Sequence, residues 1–241
     1  AFFLLLGPVS NVLPLLHPMA ERYLTLPAAA FCWVVAHGAE RIGHPRWRWG
    51  SVGALAVVYV LLSNARAADW RSAVALWSAE LRARPDSAWA HNGLGDALER
   101  SGRTEEATTH FREALRLDPN FSRASYNLAN RLMAAGAVEE AIERYRHALR
   151  IRPQDVKAHV NLGVALKRLG RLDEAAAEYR EALRLEPDSP GAHNNLGNVL
   201  RMQGKTDEAE RYLTEALRLR PGDTDAHSNL ALLYMDTGQY P

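Results

Sequence analysis

A period of 34 residues constrains the fold of this chain more than any other feature. At this step the sequence repeats a leucine in the first half of each unit, a glycine in the middle and a proline at the end. A fixed period of this length is typical of a solenoid, in which each unit packs only against its neighbours. The repeated residues are Leu94, Leu128, Leu162, Leu196 and Leu230, then Gly102, Gly136, Gly170, Gly204 and Gly238, then Pro119, Pro153, Pro187 and Pro221.

The pattern within one unit predicts two amphipathic helices joined by a tight turn. In the third unit, Ala158, Leu162 and Leu166 are four residues apart and therefore share one helical face. Gly170 stands where the first helix must end, because glycine adopts the left-handed C-cap conformation easily. Pro187 cannot continue the second helix. One helix pair cannot bury its own apolar face, so the units are expected to stack into an all-α, right-handed superhelix that resembles the tetratricopeptide repeat.

Two finer features follow from the same pattern. Thr104 and Thr206 each precede two acidic residues, which predicts that they are the N-caps of second helices. Gly163 is expected where the two helices of one repeat approach closely.

The period also divides the chain. Stepping back 34 residues places Ala73 at the position of Ala107 and Trp77 at that of Phe111, which predicts half a repeat before the first full one. The chain starts inside an apolar run and stops after one helix of a fifth unit, so we expect it to be a fragment of a longer protein. The predicted regions are truncated membrane spans at 1–64, a half-repeat cap at 65–87, full repeats at 88–121, 122–155, 156–189 and 190–223, and a partial repeat at 224–241.

The first 64 residues differ in character from the repeats because they are apolar and rich in aromatic residues. Two apolar stretches, 24–37 and 50–62, each fall short of the ~20 residues that cross a hydrocarbon core. Flanking residues such as Trp47 and Trp49, which suit the membrane interface, bring them close to that length. The sequence therefore predicts a membrane helical hairpin. A buried hairpin in a soluble protein is the alternative.

The loop between these stretches carries Arg41, Arg46 and Arg48. Under the positive-inside rule this loop is cytoplasmic, which places the repeats on the extracytoplasmic side, in a periplasm or lumen. Arg66 and Arg71, just after the second stretch, weaken this assignment because they place positive charge on the opposite side.

Composition excludes several functions. The chain has 29 basic and 28 acidic residues, and this balance argues against a nucleic-acid partner, which favours a basic excess. Cys32 is the single cysteine, which excludes an internal disulfide and any zinc site built from several cysteines. The sequence contains no phosphate loop, no G-x-S-x-G motif and no Cys/His nucleophile pair at a recognisable spacing. We therefore predict no catalytic residue, no metal site and no cofactor in this chain.

One repeated polar position suggests binding. It forms the asparagine ladder, which Gly93 breaks in the first repeat. A primary amide offers one acceptor and two donors, so a row of amides can bind the backbone of an extended protein or peptide segment in a concave groove. The alternative is that each asparagine ties adjacent repeats together. The ladder consists of Asn127, Asn161, Asn195 and Asn229. At these residues the array resembles the tetratricopeptide superhelix of the O-linked N-acetylglucosamine transferases, in which such a ladder lines the concave face.

A second ladder lies two residues before the first. Its residues would be too far apart to share a metal ion, so we expect them to pack or to form hydrogen bonds within the array. Ser125 interrupts it in the second repeat. This histidine ladder consists of His91, His159, His193 and His227.

The order of segments resembles a family of membrane enzymes. Residues 18–24 read PMAERYL, Leu26-Pro27 follow, and W-R-S-x-x-x-L-W at 70–77 precedes the repeats. This layout resembles the C-terminal half of the transmembrane and tetratricopeptide-repeat O-mannosyltransferases and their bacterial relatives. Two positions depart from it, since Thr25 stands where the family more often has an aromatic residue and Ala28 where it has a serine.

This resemblance implies a polytopic membrane glycosyltransferase that uses a lipid-linked sugar. The repeats would then be its acceptor-binding C-terminal portion, on the lumenal or periplasmic side. The catalytic acid of such enzymes lies in an early loop that has no counterpart here, so no catalytic residue is assigned. A membrane-tethered scaffold for protein interactions, without chemistry of its own, is the alternative, and a soluble adaptor is a third possibility.

Overall fold

The computed structural model describes residues 72–238, which form ten α-helices and no strand within that range. The predicted all-helical repeat fold is confirmed there. The helices are α1 (Ala73–Ala83), α2 (Ala88–Arg100), α3 (Thr104–Leu117), α4 (Ser122–Ala134), α5 (Val138–Ile151), α6 (Val156–Arg168), α7 (Leu172–Leu185), α8 (Pro190–Met202), α9 (Thr206–Leu219) and α10 (Thr224–Thr237).

The helices alternate between two roles. Each even-numbered helix from α2 to α8 is the first of a pair and packs against the odd-numbered helix that follows it. That second helix also packs against the first helix of the next pair, and α1 packs against α2. The backbones of successive first helices lie close together, whereas those of successive second helices within residues 72–238 are farther apart and meet through side-chain ion pairs such as Arg146 with Glu174. A stack that is closer on one side curves toward that side, so the first helices line the inner face of the superhelix.

Glycine ends the first helix of each pair as the sequence predicts. Gly170 has φ +72°, and the four glycines at the same repeat position have φ between +71° and +82°. A side chain would strain this left-handed backbone, which explains why glycine recurs there.

The predicted N-caps at Thr104 and Thr206 are wrong by one residue. Both threonines are the first residues of their helices, and the N-caps are Arg103 and Lys205, without a side-chain cap bond. The tight turn explains this shift, because the backbone N–H of Arg103 donates to the carbonyl of Leu98 at 2.9 Å and so fixes Arg103 as the junction. Threonine inside the helix cannot cap its own first turn.

The predicted close approach at Gly163 is confirmed. A Cβ atom placed there would lie 2.6 Å from the ring of Tyr179, in the second helix of the same repeat. A second close contact, with the preceding helix, explains the break in the asparagine ladder, because a Cβ at Gly93 would lie 2.4 Å from the indole of Trp77 in α1. No side chain fits at that position unless the tryptophan moves.

The N-terminal predictions stay as predictions. The membrane spans predicted within 1–64 lie outside the described residues, as does part of the half-repeat cap predicted at 65–87. Within residues 72–238, no helix combines the length and the apolar character needed to cross a membrane.

Candidate functional site

The asparagine ladder lies on the first helices and bridges neighbouring repeats. Nδ2 of Asn127 on α4 donates to Oδ1 of Asn92 at 3.0 Å and to Oδ1 of Asp96 at 2.9 Å, both on α2. Asn127 is buried, with 9% of its surface exposed, so these bonds satisfy both of its donors away from water.

Asn161 repeats this arrangement one repeat further on. Its Nδ2 donates to Oη of Tyr126 and to Oδ1 of Asn130, both at 3.0 Å. Oδ1 of Asn130 also accepts a hydrogen bond from Oη of Tyr145 at 2.6 Å. The network therefore joins α4 to α6 and extends to the second helix α5.

The last two members of the ladder differ from each other. Nδ2 of Asn229 donates to Oδ1 of Asn194 at 2.8 Å. Asn195 is half-buried and makes no side-chain hydrogen bond with any residue between 72 and 238. The partners of Asn127 and Asn161 stand 35 and 31 residues earlier in the chain. The same steps back from Asn195 reach Val160 and Val164, which offer no acceptor.

Three of the four ladder amides therefore tie adjacent repeats, as the alternative interpretation of the sequence expects. Their oxygens remain available, because Oδ1 of each ladder residue accepts no hydrogen bond from the residues that the structure describes. Peptide binding by Asn127, Asn161, Asn195 and Asn229 stays a prediction.

The sequence did not single out the acceptors of these bonds. They occupy the positions one residue before and three residues after the ladder, on the same helical face. Polar residues at these positions are a signal that could have found them. The acceptors are Asn92, Asp96, Tyr126, Asn130 and Asn194.

Charged groups between the first helices are mostly paired. Asp96 lies 3.2 Å from a guanidinium nitrogen of Arg123, and Glu99 lies 3.1 Å from one of Arg131. Burial raises the pKa of the Asp96 carboxyl, and the Arg123 charge opposes that change. These pairs neutralise the inner face of the first two repeats.

The histidine ladder holds the turns between repeats. In each case the Nε2–H group donates to the carbonyl of the proline six residues earlier, which belongs to the turn that closes the preceding repeat. This bond agrees with the packing and hydrogen-bonding role expected from the sequence. The pairs are His91 with Pro85 at 3.1 Å, His159 with Pro153 at 3.0 Å, His193 with Pro187 at 2.8 Å and His227 with Pro221 at 2.9 Å.

The partner of the other ring nitrogen, Nδ1, differs between repeats. Nδ1 of His159 lies 2.7 Å from Oε2 of Glu178, and this hydrogen bond raises the pKa of His159. Nδ1 of His91 lies 2.9 Å from Nδ1 of His110, whose pKa is lowered by burial and then by the charge of His91. Within residues 72–238, no group of three or more His, Cys, Asp or Glu side chains could hold a metal ion.

Two tyrosines at one repeat position provide a matched test. Oη of Tyr145 donates to Asn130, whereas Oη of Tyr179 is buried without a hydrogen-bond partner among the described residues. Burial raises the pKa of both phenols, so both are neutral donors.

We expect Tyr179→Phe to raise the free energy of unfolding by about 1 kcal/mol and Tyr145→Phe to lower it by about 1 kcal/mol. Urea denaturation of both variants measures this, and equal effects would contradict the assigned network.

Comparison with known families agrees with this architecture. Models described as tetratricopeptide or TPR repeats match residues 62–120, 100–143, 129–170 and 154–222. The chain therefore carries an array of tetratricopeptide repeats, and the predicted repeat type is confirmed.

Over its repeat region the chain is homologous to protein O-mannosyl-transferases. It is 33% identical over 115 residues to Tmtc3 of Drosophila melanogaster and 30% identical over 112 residues to TMTC3 of Mus musculus. These alignments cover 45% and 44% of this chain but 12% of each relative. The predicted resemblance is confirmed for the repeat region, and the matched segment spans 12% of the length of each relative.

Solved structures share the fold. YrrB, a TPR protein with an unusual peptide-binding site, superposes with a TM-score of 0.62 at 22% identity, over 68% of this chain and 84% of YrrB. MamA gives a TM-score of 0.58 at 22% identity, over 61% of this chain and 86% of MamA. PilF of Pseudomonas aeruginosa gives 0.57 at 28% identity, over 66% of this chain and 72% of PilF.

Proposed function

We propose that this chain is the acceptor-binding portion of a membrane-anchored protein O-glycosyltransferase of the O-mannosyl-transferase type. Homology of the repeat region to those enzymes supports the class. Residues 1–64 would anchor the protein, and the repeats would lie in a periplasm or lumen. The sugar transfer itself is assigned to a part of the enzyme outside this chain, so none of its residues is given a catalytic role.

The observation that carries the proposal is the row of available Oδ1 atoms on the inner face. The amide nitrogens of three ladder residues are used within the array, so the ladder would bind an extended chain by accepting its backbone N–H groups. Neighbouring helices lie about 10 Å apart, and an extended chain rises about 3.3 Å per residue. One asparagine would therefore face every third residue, and the amides themselves would select little among side chains.

A membrane-tethered scaffold without chemistry is the second candidate. The observation in its favour is that Asn127, Asn161 and Asn229 already stabilise the array through their amide nitrogens. On this view the ladder has a structural role, and partners bind elsewhere on the repeats.

Asn195 separates the two candidates because its replacement removes no bond within the described structure. We expect Asn195→Ala in the full chain to weaken binding of an extended Ser/Thr-rich peptide about fivefold, which corresponds to one hydrogen bond. Fluorescence anisotropy with a labelled peptide of about 12 residues, long enough to span the ladder, measures this. Asn120→Ala, in an exposed turn, is the matched control and should leave affinity unchanged. Equal affinity for the parent and both variants would favour the scaffold.

A further inference from the structure

The inner face of the third repeat differs from the faces on either side of it. It carries an exposed lysine, a half-buried lysine and two half-buried valines, next to the one ladder residue whose amide is unused. We call this surface the central patch, and we propose that it binds an acidic peptide segment that carries an apolar side chain. This inference rests on the proposed function, since it names the kind of polypeptide that the inner face takes. The central patch consists of Lys157, Val160, Val164, Lys167 and Asn195.

Helical spacing brings the patch together. Lys157, Val160, Val164 and Lys167 recur at intervals of three and four residues, so they share one face of α6. The residues between them include the buried Ala158, His159, Leu162, Gly163, Ala165 and Leu166, which face the core. Both valines are half-buried and pack against that core, which leaves part of each side chain open on the inner face.

The valines also explain why Asn195 is available. Asn161 bonds to Tyr126 and Asn130 on the preceding first helix. Val160 and Val164 occupy the equivalent positions before Asn195, so apolar side chains stand where the other asparagines find their acceptors. The half-buried amide keeps two donors and one acceptor for a ligand. A polypeptide segment satisfies it with a backbone carbonyl and N–H, while an apolar side chain covers the valines.

The charge of the central patch favours acidic residues in the bound segment. Lys157 and Lys167 form no ion pair with any residue between 72 and 238, and neither does the exposed Arg168 beside them. The charges on either side are different, because Asp96 and Glu99 are paired with arginines and Arg201 is paired with Asp236. Among the first helices between residues 72 and 238, the unpaired positive charge therefore lies on α6, at the centre of the array, where it attracts carboxylates.

The test compares peptides on the full chain. We expect a labelled peptide with leucine between pairs of glutamates to bind roughly tenfold more tightly than its counterpart with lysines in place of the glutamates. The double variant Lys157→Glu, Lys167→Glu should abolish this preference without weakening the neutral Ser/Thr-rich peptide. Lys205→Glu, an exposed lysine in the turn before α9, is the charge-matched control and should retain the preference.

A second variant tests the amide. Val164→Asn introduces the residue type that the preceding repeat has at the equivalent position, Asn130. The new side chain should form a hydrogen bond with Asn195 and weaken binding of the acidic peptide several-fold. Replacing the leucine of the peptide with asparagine should weaken binding as well.

If the neutral peptide binds in an Asn195-dependent manner while acidic and basic peptides bind equally, the acidic preference is overturned and the proposed function stands. If no peptide binds, both are overturned. Acidic peptides that bind equally well with and without leucine would overturn the role of the valines.

Discussion

Gly163→Leu is expected to lower the free energy of unfolding by about 3 kcal/mol, the upper range for overpacking. A Cβ atom at this position already lies 2.6 Å from Cε1 of Tyr179, and that ring is fully buried. Leucine adds three further carbon atoms in the same direction. Because each repeat packs only against its neighbours, a displaced α7 also weakens its contact with α8.

Thermal and urea denaturation of the full chain measure this effect. Gly191→Ala is the matched control, since nothing lies within 4 Å of a Cβ placed there, and it should stabilise the protein by about 0.5 kcal/mol. Gly163→Ala should be milder than Gly163→Leu, because the second repeat already has Ala129 at this position opposite Tyr145. A Gly163→Leu variant that unfolds like the parent would contradict the tight contact.

Much of the fold is predictable because it is local and then repeated. The apolar spacing around Leu162, the left-handed Gly170 and the close approach at Gly163 each follow from a few residues and a conformational rule. Repetition strengthens each of them, since the same residue type recurs at every step. The error at Thr104 and Thr206 arose because the N-cap depends on how the tight turn closes, and the backbone of Arg103 decides that.

The inner face was only partly predictable. The sequence identifies the asparagine ladder, but it does not show that Nδ2 of Asn161 reaches Tyr126 and Asn130 on another helix. That bond depends on the register between repeats, which a pattern of single positions does not specify. The exception at Asn195 requires both this register and the identity of Val160 in the preceding repeat. Membrane insertion of residues 1–64 stays a prediction.

Phe111→Ala is expected to lower the free energy of unfolding by about 4 kcal/mol, as deletion of a fully buried aromatic ring does. Phe111 is 0% exposed and packs against Gly95 in the other helix of its repeat. The backbone of both helices is held by neighbouring repeats, so the site can collapse only in part and a cavity remains. Arg112→Ala removes the next side chain, which is exposed, and should change stability by less than about 0.5 kcal/mol.

A double-mutant cycle decides whether the loss comes from the cavity beside Gly95. A Cβ on Gly95 would lie 2.5 Å from the Phe111 ring, so Gly95→Leu alone should be as damaging as Gly163→Leu. In the Phe111→Ala background the leucine enters space that the ring has left. We therefore expect the loss in free energy of unfolding of the double variant to be about 2 kcal/mol smaller than the sum of the two single losses. Coupling of this size is seen between residues in contact. Additive losses would mean that the ring and the glycine do not share one space, and the close helix contact between Gly95 and Phe111 would then have to be revised.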